Sequence, residues 1–536
     1  VTRGILPRPL SLLAALTLAA PLACGPGGAE DEVGDEAEAG ESESETGAEE
    51  VIGDPALGID IVEVEANQGT AVSIGKDGAW VGPEGRNAYM IRDRDTLVRL
   101  HHRVHEGWVP REIVAILHLI DANGVELEPR IARRVIEADS DPKNLNDQFY
   151  FSVVGVEAKP GLRYWVELRE GSLAPEVGAA TAGIATTPPD YGVIGYEETT
   201  LQMKVMLVPI EYTFIDPPTL ATVTESDEKI VNDALLQTNP LQEVQIEVHE
   251  PYLYTQQLTD LGALLSPMAA LKAADQADPN VYYHALVDVR GPAVNMVAGI
   301  AWLTNDSQGE GNSRVAASVW FKQGDAMSPA NSAEVIVHEI GHNQGLSHVF
   351  CPAASTPAAG PDPNYPHDDG KIGVYGFGIR NFRLYTPTAS HDYMTYCGNA
   401  WVSDWTWNKT YDRIRTLTSW DFGAPADGSR TGTILVGTVF GDGQEQWWTL
   451  EGAIPSDDAR GLQQVALFGE GGELLDQQWA AVSTASDGVT QLIVIPLEHE
   501  IDDVASLARI DAQGELHETK RAAIQIGHRD FDIRGR

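Results

Sequence analysis

His338, Glu339, His342 and His348 are the residues of this chain whose types and spacing could do chemistry. They lie in VIVHEIGHNQGLSHVFC, Val335 to Cys351, an otherwise apolar run. Histidines four apart on a helix project from one face, one turn apart, so His338 and His342 can grip the same ion. Glu339 follows the first of them, which puts a carboxylate beside the metal without making it a ligand. Gly345 is expected to end the helix, because glycine readily takes the left-handed conformation needed there. The chain then turns back and offers His348 as a third ligand. Three neutral imidazoles leave a fourth position of Zn²⁺ open, the pattern of a catalytic rather than a structural ion. Zinc there would lower the pKa of a water to about 7 and polarise a carbonyl. Glu339 is expected to take the proton and hand it to the leaving amine. H-E-x-x-H alone can arise by chance on an amphipathic helix. The glycine and third histidine of H-E-x-x-H-x-x-G-x-x-H make chance a poor explanation here.

The extended motif resembles that of the metzincin clan of zinc peptidases. The clan implies a methionine-containing turn downstream, and HDYMTYC, His391 to Cys397, fits it. On that resemblance Met394 lies beneath the metal, and Tyr396 matches a tyrosine that in some members touches the zinc or the reaction intermediate. His391 is read as structural or surface. The clan architecture brings the third ligand's loop and the methionine turn together, which implies a Cys351–Cys397 disulfide. RVAASVWF, Arg314 to Phe321, would be the edge strand along the cleft, against which an extended substrate adds as a further strand. YMTYCGNAWVSDWTWNK, with Trp401, Ser403 and Asp404, looks like secreted bacterial metzincins, including the mucin-cleaving, dictomallein-like group, whose substrates are glycoproteins. The resemblance runs from Leu201 to Phe422, and Val349 after the third histidine is not a residue that labels the best-known families.

These residues need a framework. Ser328-Pro329, or Asn331 with Glu334, supplies the start of the metal helix. Before it, strands such as LQMKVMLVPIEY and NVYYHALVDVR alternate with the helical stretches TESDEKIVNDALLQT and LGALLSPMAALKAAD, the latter interrupted near Pro267. Such alternation indicates an α/β layer with a mainly parallel sheet. From Gly58 to Pro189 short strands separated by Gly, Asn, Asp and Pro indicate an immunoglobulin-like β-sandwich. After Ala424 strands return, as in GTILVGTVFG and TQLIVIPL, and form a second β domain. The expected fold is therefore multidomain: a metzincin-like α/β core at 191–423, with a β-sandwich at 57–190 and a sandwich-like β domain at 424–536.

The chain has 536 residues, enough for several such domains, and a formal net charge of −43. So acidic a balance argues against nucleic-acid and anionic-membrane partners, which need clustered Lys and Arg. Residues 1–24 read as an export signal, with Arg3 and Arg8 ahead of an apolar run too short to span a bilayer. PLAC, ending at Cys24, resembles a bacterial lipoprotein cleavage site, so lipidation of Cys24 and plain secretion both stay open. Residues 25–56, rich in carboxylates and small residues, read as a solvated tether. With Cys24 consumed, Cys351 and Cys397 are left as an even pair suited to an oxidising compartment. The oxygen-rich loops PDPNYPHDDGKIG and NDSQGEGN could hold Ca²⁺, but neither has EF-hand spacing. The sequence thus points to an extracytoplasmic, monomeric zinc endopeptidase acting on extracellular proteins or glycoproteins. The alternative is a catalytically silent surface adhesin that binds glycoproteins.

Overall fold

The computed structural model describes residues 52–171, 182–322, 325, 327–354, 359–424, 428, 430–456 and 460–526. Cys24, the leader and nearly all of the acidic tether lie outside them. The last tether residues are docked rather than solvated. Gly53 N donates to Glu170 O at 3.0 Å and Ala56 N to Leu168 O at 3.0 Å, and Ala56 is buried.

Between Ile59 and Val193 two antiparallel sheets share one core. One runs in the order Ala79–Trp80, Ala71–Lys76, Ile59–Asn67, Thr96–Val104, Phe149–Val153; the other in the order Thr186–Val193, Arg163–Glu170, Arg111–Ile120, Arg130–Ile136. Period-two alternation turns Ile113, Ala115, Leu117 and Leu119 inward together with Tyr164, Val166 and Leu168. The boundary expected at 190 falls inside a strand, since Gly192 pairs with Tyr164 and Val193 with Arg163. Pro188 and Pro189 are tolerated because this is an edge strand whose pairing is interrupted between Thr187 and Gly192.

The central sheet is built on Gln202–Tyr212, which pairs in parallel with Glu243–Val248 on one side and Val281–Val287 on the other. Val315–Val319 adds in parallel to Val281–Val287, and Gly299–Ala301 closes that side antiparallel. The RVAASVWF segment is therefore an interior strand, and the edge is Gly299–Ala301. The physical reason is burial: every residue from Val315 to Val319 is buried, as an interior strand requires. Met203, Val205 and Leu207 face helices α1 (Glu225–Thr238) and α3 (Pro329–Asn343). Val208, Ile210 and Tyr212 face α2 (Leu265–Ala274). Pro267 sits in the first turn of α2, where no intrahelical N–H is needed, so it does not interrupt the helix. α4 (Asp404–Ser419) completes the layer with Trp407, Tyr411, Ile414 and Leu417. Among the described residues no helix is long and apolar enough to cross a membrane.

The outer domains are fastened to this layer. Gly69 of the first accepts from Trp401 Nε1 at 2.7 Å, and a Cβ there would lie 2.5 Å from the Trp407 ring. The C-terminal domain forms one eight-stranded sheet, not the two sheets of a sandwich, from Leu516–Lys520 at one edge to Ile524–Ile526 at the other. Alternation again divides its faces. Leu435, Trp447 and Ile493 fill its own core, while Ile434, Val436, Trp448 and Leu450 join Leu264, Leu265 and Met268 of the central layer in one buried cluster.

Candidate metal centre

Helix α3 starts at Pro329, with Asn331 Oδ1 accepting from Ser328 N at 3.0 Å, so the Ser328-Pro329 start is the one used. It ends through Gly345, whose φ is +84°. A Cβ at 345 would also lie 2.9 Å from Thr304 O, so the position combines a left-handed backbone with a close approach. Beyond it the chain doubles back and returns His348 toward the helix.

The three imidazoles converge. His342 Nε2 lies 3.1 Å from His338 Nε2 and 3.2 Å from His348 Nε2. Each Nδ1 sits against a backbone carbonyl: His338 against Tyr393 O at 2.8 Å, His342 against Leu346 O at 2.7 Å, His348 against Ala359 O at 2.8 Å. A carbonyl only accepts, so each Nδ1 carries the proton and each Nε2 presents a lone pair. Three lone pairs at this separation repel unless a cation lies between them, and the donor set suits zinc. Burial pushes the imidazoles down the pH scale, His338 to about 3 and His342 and His348 below the usual range, which keeps them neutral as ligands must be.

The methionine segment lies directly under the helix. Met394 is fully buried, and a Cβ on Gly341 would lie 2.5 Å from its sulfur. Met394 O accepts from Val349 N at 2.9 Å, tying the segment to the residue after the third ligand. Tyr396 places its ring 4.7 Å from that of His348 and 5.8 Å from that of His338, centroid to centroid. Cys351 and Cys397 are disulfide-bonded with Cα atoms 6.3 Å apart. His391 stands near that pair, but both sulfurs are in the disulfide, and its Nδ1 donates to Gly398 O at 2.9 Å.

Glu339 points toward the edge strand. Gly299 leaves the room: a Cβ there would lie 2.5 Å from Glu339 Oε1. Burial raises the Glu339 carboxyl well above the ordinary carboxylate range; the Ser486 hydroxyl draws it back and Asp487 adds to the rise. Ser486 Oγ lies 3.4 Å from Glu339 Oε2, although it belongs to the C-terminal domain. Glu339 is 4 % exposed, His342 1 % and His348 2 %.

Sequence reasoning missed three contributors. Asp392 is buried and accepts from Ser403 Oγ at 2.6 Å and Met394 N at 2.9 Å, holding the methionine segment on the start of α4. Its position between His391 and the methionine was the only signal. Asn343, on the metal helix, donates to Trp302 O at 2.8 Å and Val315 O at 3.0 Å and so fixes the end of the edge strand and the interior strand beside it to the helix. Ser486, 147 residues from Glu339, left no trace in local pattern. Of the two oxygen-rich loops, NDSQGEGN spends the carbonyls of Asn305 and Ser307 on Arg314, at 2.8 and 2.9 Å. In the other, Asp362 is paired with Lys409 at 3.1 Å.

Residues 195–349 match the model of metallopeptidase family M12B, reprolysin-like. No curated protein matches the chain. Among solved structures, beta-glucuronidase 2 of Bacteroides uniformis is 9% identical over 87% of this chain and 62% of that one, with a TM-score of 0.17. A putative beta-galactosidase of Bacteroides fragilis is 9% identical over 86% of this chain and 72% of that one, at 0.14. This chain thus spans less than two thirds of the glucuronidase's length, and likenesses so shallow bear on neither fold nor activity. The family match, together with three histidines whose ligand atoms lie within 4.8 Å of one another, supports a zinc metallopeptidase of the metzincin kind.

Proposed function

We propose that the chain is a zinc-dependent endopeptidase acting on extracellular proteins or glycoproteins, with Glu339 as general base. The observation that carries this reading is the placement of Glu339: one residue from a ligand, off the ligand set, and against the edge strand Gly299–Ala301. His338, His342 and His348 would hold the ion. Zinc held there supplies Lewis acidity, which acidifies a water and polarises the scissile carbonyl. The substrate lies extended along Gly299–Ala301, pairing with its outward backbone groups. Glu339 accepts the proton of the attacking water and delivers it to the leaving nitrogen, so that a neutral amine departs. Tyr396, whose ring lies tilted beside that of His338 and edge-on to that of His348, would steady negative charge on the carbonyl oxygen through its hydroxyl.

The metzincin-like layer is the catalytic domain in this reading. The leader at 1–24 would take the enzyme out of the cytoplasm, free or lipid-anchored through Cys24, with the acidic tether as a spacer. The test is long incubation of the zinc-loaded chain with casein and with a heavily O-glycosylated mucin, with and without chelator, beside Glu339→Ala. Chelator-sensitive cleavage that the variant lacks is expected. Equal cleavage by Glu339→Ala would overturn the assignment of the base.

A further inference from the structure

The edge strand is already paired on its outer side at Ala301. The residues flanking Gly299–Ala301 bond the interior strand, Trp302 N donating to Val315 O and Val319 N to Ala298 O, so in the alternating antiparallel ladder Ala301 does not. The backbone groups of Ala301 therefore point outward, where an added strand would bind. Both are taken by one residue of the C-terminal domain. Ser486 N donates to Ala301 O at 3.1 Å, and Ser486 Oγ accepts from Ala301 N at 3.0 Å. The same hydroxyl reaches Glu339 Oε2 at 3.4 Å. Two residues on, Gly488 packs so closely on Ala359 that a Cβ would lie 2.1 Å from the Ala359 Cβ. Ala359 is the residue whose carbonyl holds His348.

Ser486 sits at the tip of a hairpin, between Leu474–Thr484 and Gln491–Pro496, whose last pair is Thr484 with Gln491. The tip is folded on itself. Ala485 N donates to Thr490 O at 2.8 Å, and the Asp487 carboxylate accepts from Val489 N at 3.0 Å and Thr490 N at 2.9 Å. It is delivered by a domain that shares a buried cluster with the central layer, with Ala485 and Leu492 in that cluster. A preformed tip on a docked domain covers the base and the edge strand at once.

We propose that the hairpin tip Ala485–Thr490 is a built-in inhibitor: it holds the substrate's place on Gly299–Ala301 and must withdraw before a substrate can pair. The inhibition is intramolecular and so independent of protein concentration. This inference rests on the endopeptidase reading. The tip can be shortened without dismantling the sheet, because Thr484 and Gln491 already form the pair that a two-residue turn would close.

The test compares the zinc-loaded full chain with a form in which Ala485–Thr490 is replaced by Asn-Gly, and with Ser486→Gly, which removes both Oγ contacts and leaves the sheet alone. The first readout is binding of a fluorescent peptide hydroxamate, which needs no turnover. A covered site lowers apparent affinity by the fraction open, so the shortened hairpin should bind at least about tenfold tighter than the parent, with Ser486→Gly in between. Equal or weaker binding by both variants would overturn the proposal and make the tip a fixed wall of the cleft. The second readout is cleavage of a quenched peptide. Tighter hydroxamate binding without cleavage by the shortened form would keep the plug and remove the endopeptidase reading.

Discussion

Gly341 and Met394 meet so closely that the space for one methyl group between them does not exist: a Cβ on Gly341 would stand 2.5 Å from the methionine sulfur. The glycine inside H-E-x-x-H is thus a packing requirement of the methionine beneath it. Gly341→Ala must push the helix or the sulfur aside, at a cost of about 1–3 kcal/mol. Urea unfolding of the zinc-loaded protein should show that loss, and zinc titration should show weaker binding. An unchanged midpoint would mean the two elements separate freely.

Asp392 organises the same turn. Asp392→Ala leaves the amide of Met394 and the Ser403 hydroxyl without their acceptor, at a cost of about 1–3 kcal/mol. Tyr393, whose carbonyl orients His338, is its neighbour, so zinc affinity should fall about 10–100-fold. Competition with a fluorescent zinc indicator reads this directly.

The disulfide closes a loop of sequence separation 46 that contains the turn residues and the tail of the ligand loop. Loop entropy assigns it roughly 4 kcal/mol. The Cys351→Ser, Cys397→Ser form should melt at lower temperature and surrender zinc to chelator faster than the parent. A melting point equal to the parent's would show that packing alone holds His348's loop.

Acid sensitivity should enter through the first domain. Burial would raise the Glu65 carboxyl, but the Arg99 guanidinium and His101 outweigh it and hold the group at about 2, against an ordinary 4.5. A pKa depressed by folding contributes stability that is present above pH 4.5 and is lost as the pH falls toward 2, on the order of 3 kcal/mol. Arg99 also lies over the Tyr375 ring of the central domain, 4.9 Å from its centroid, so the loss reaches that interface. Glu65→Gln should lower the melting temperature at pH 7 and flatten its decline between pH 5 and 2.

The converging histidines could be read from the sequence because they obey a short spacing rule, whereas the buried methionine and the cysteine pair were expected only from the resemblance to the metzincin clan. Histidines at i and i+4 must share a helix face, and the glycine three residues on must release the chain. The parallel layer was legible from its alternation of helix and strand. The edge strand was not: Gly299–Ala301 is three residues long with no pattern of its own, and the longer RVAASVWF drew the assignment to the interior. The boundary expected at 190 falls within a strand because an edge strand accommodates prolines that an interior strand would reject. Ser486 was out of reach altogether, since its role depends on the docking of two domains.

The central claim is best tested by peptide turnover in the hairpin-shortened chain, with and without Glu339→Gln, at measured zinc content. The account predicts chelator-sensitive cleavage by the shortened chain, and a loss of about a hundredfold or more in Glu339→Gln with zinc retained. Undiminished cleavage by Glu339→Gln, or none by the zinc-loaded shortened chain, would contradict it.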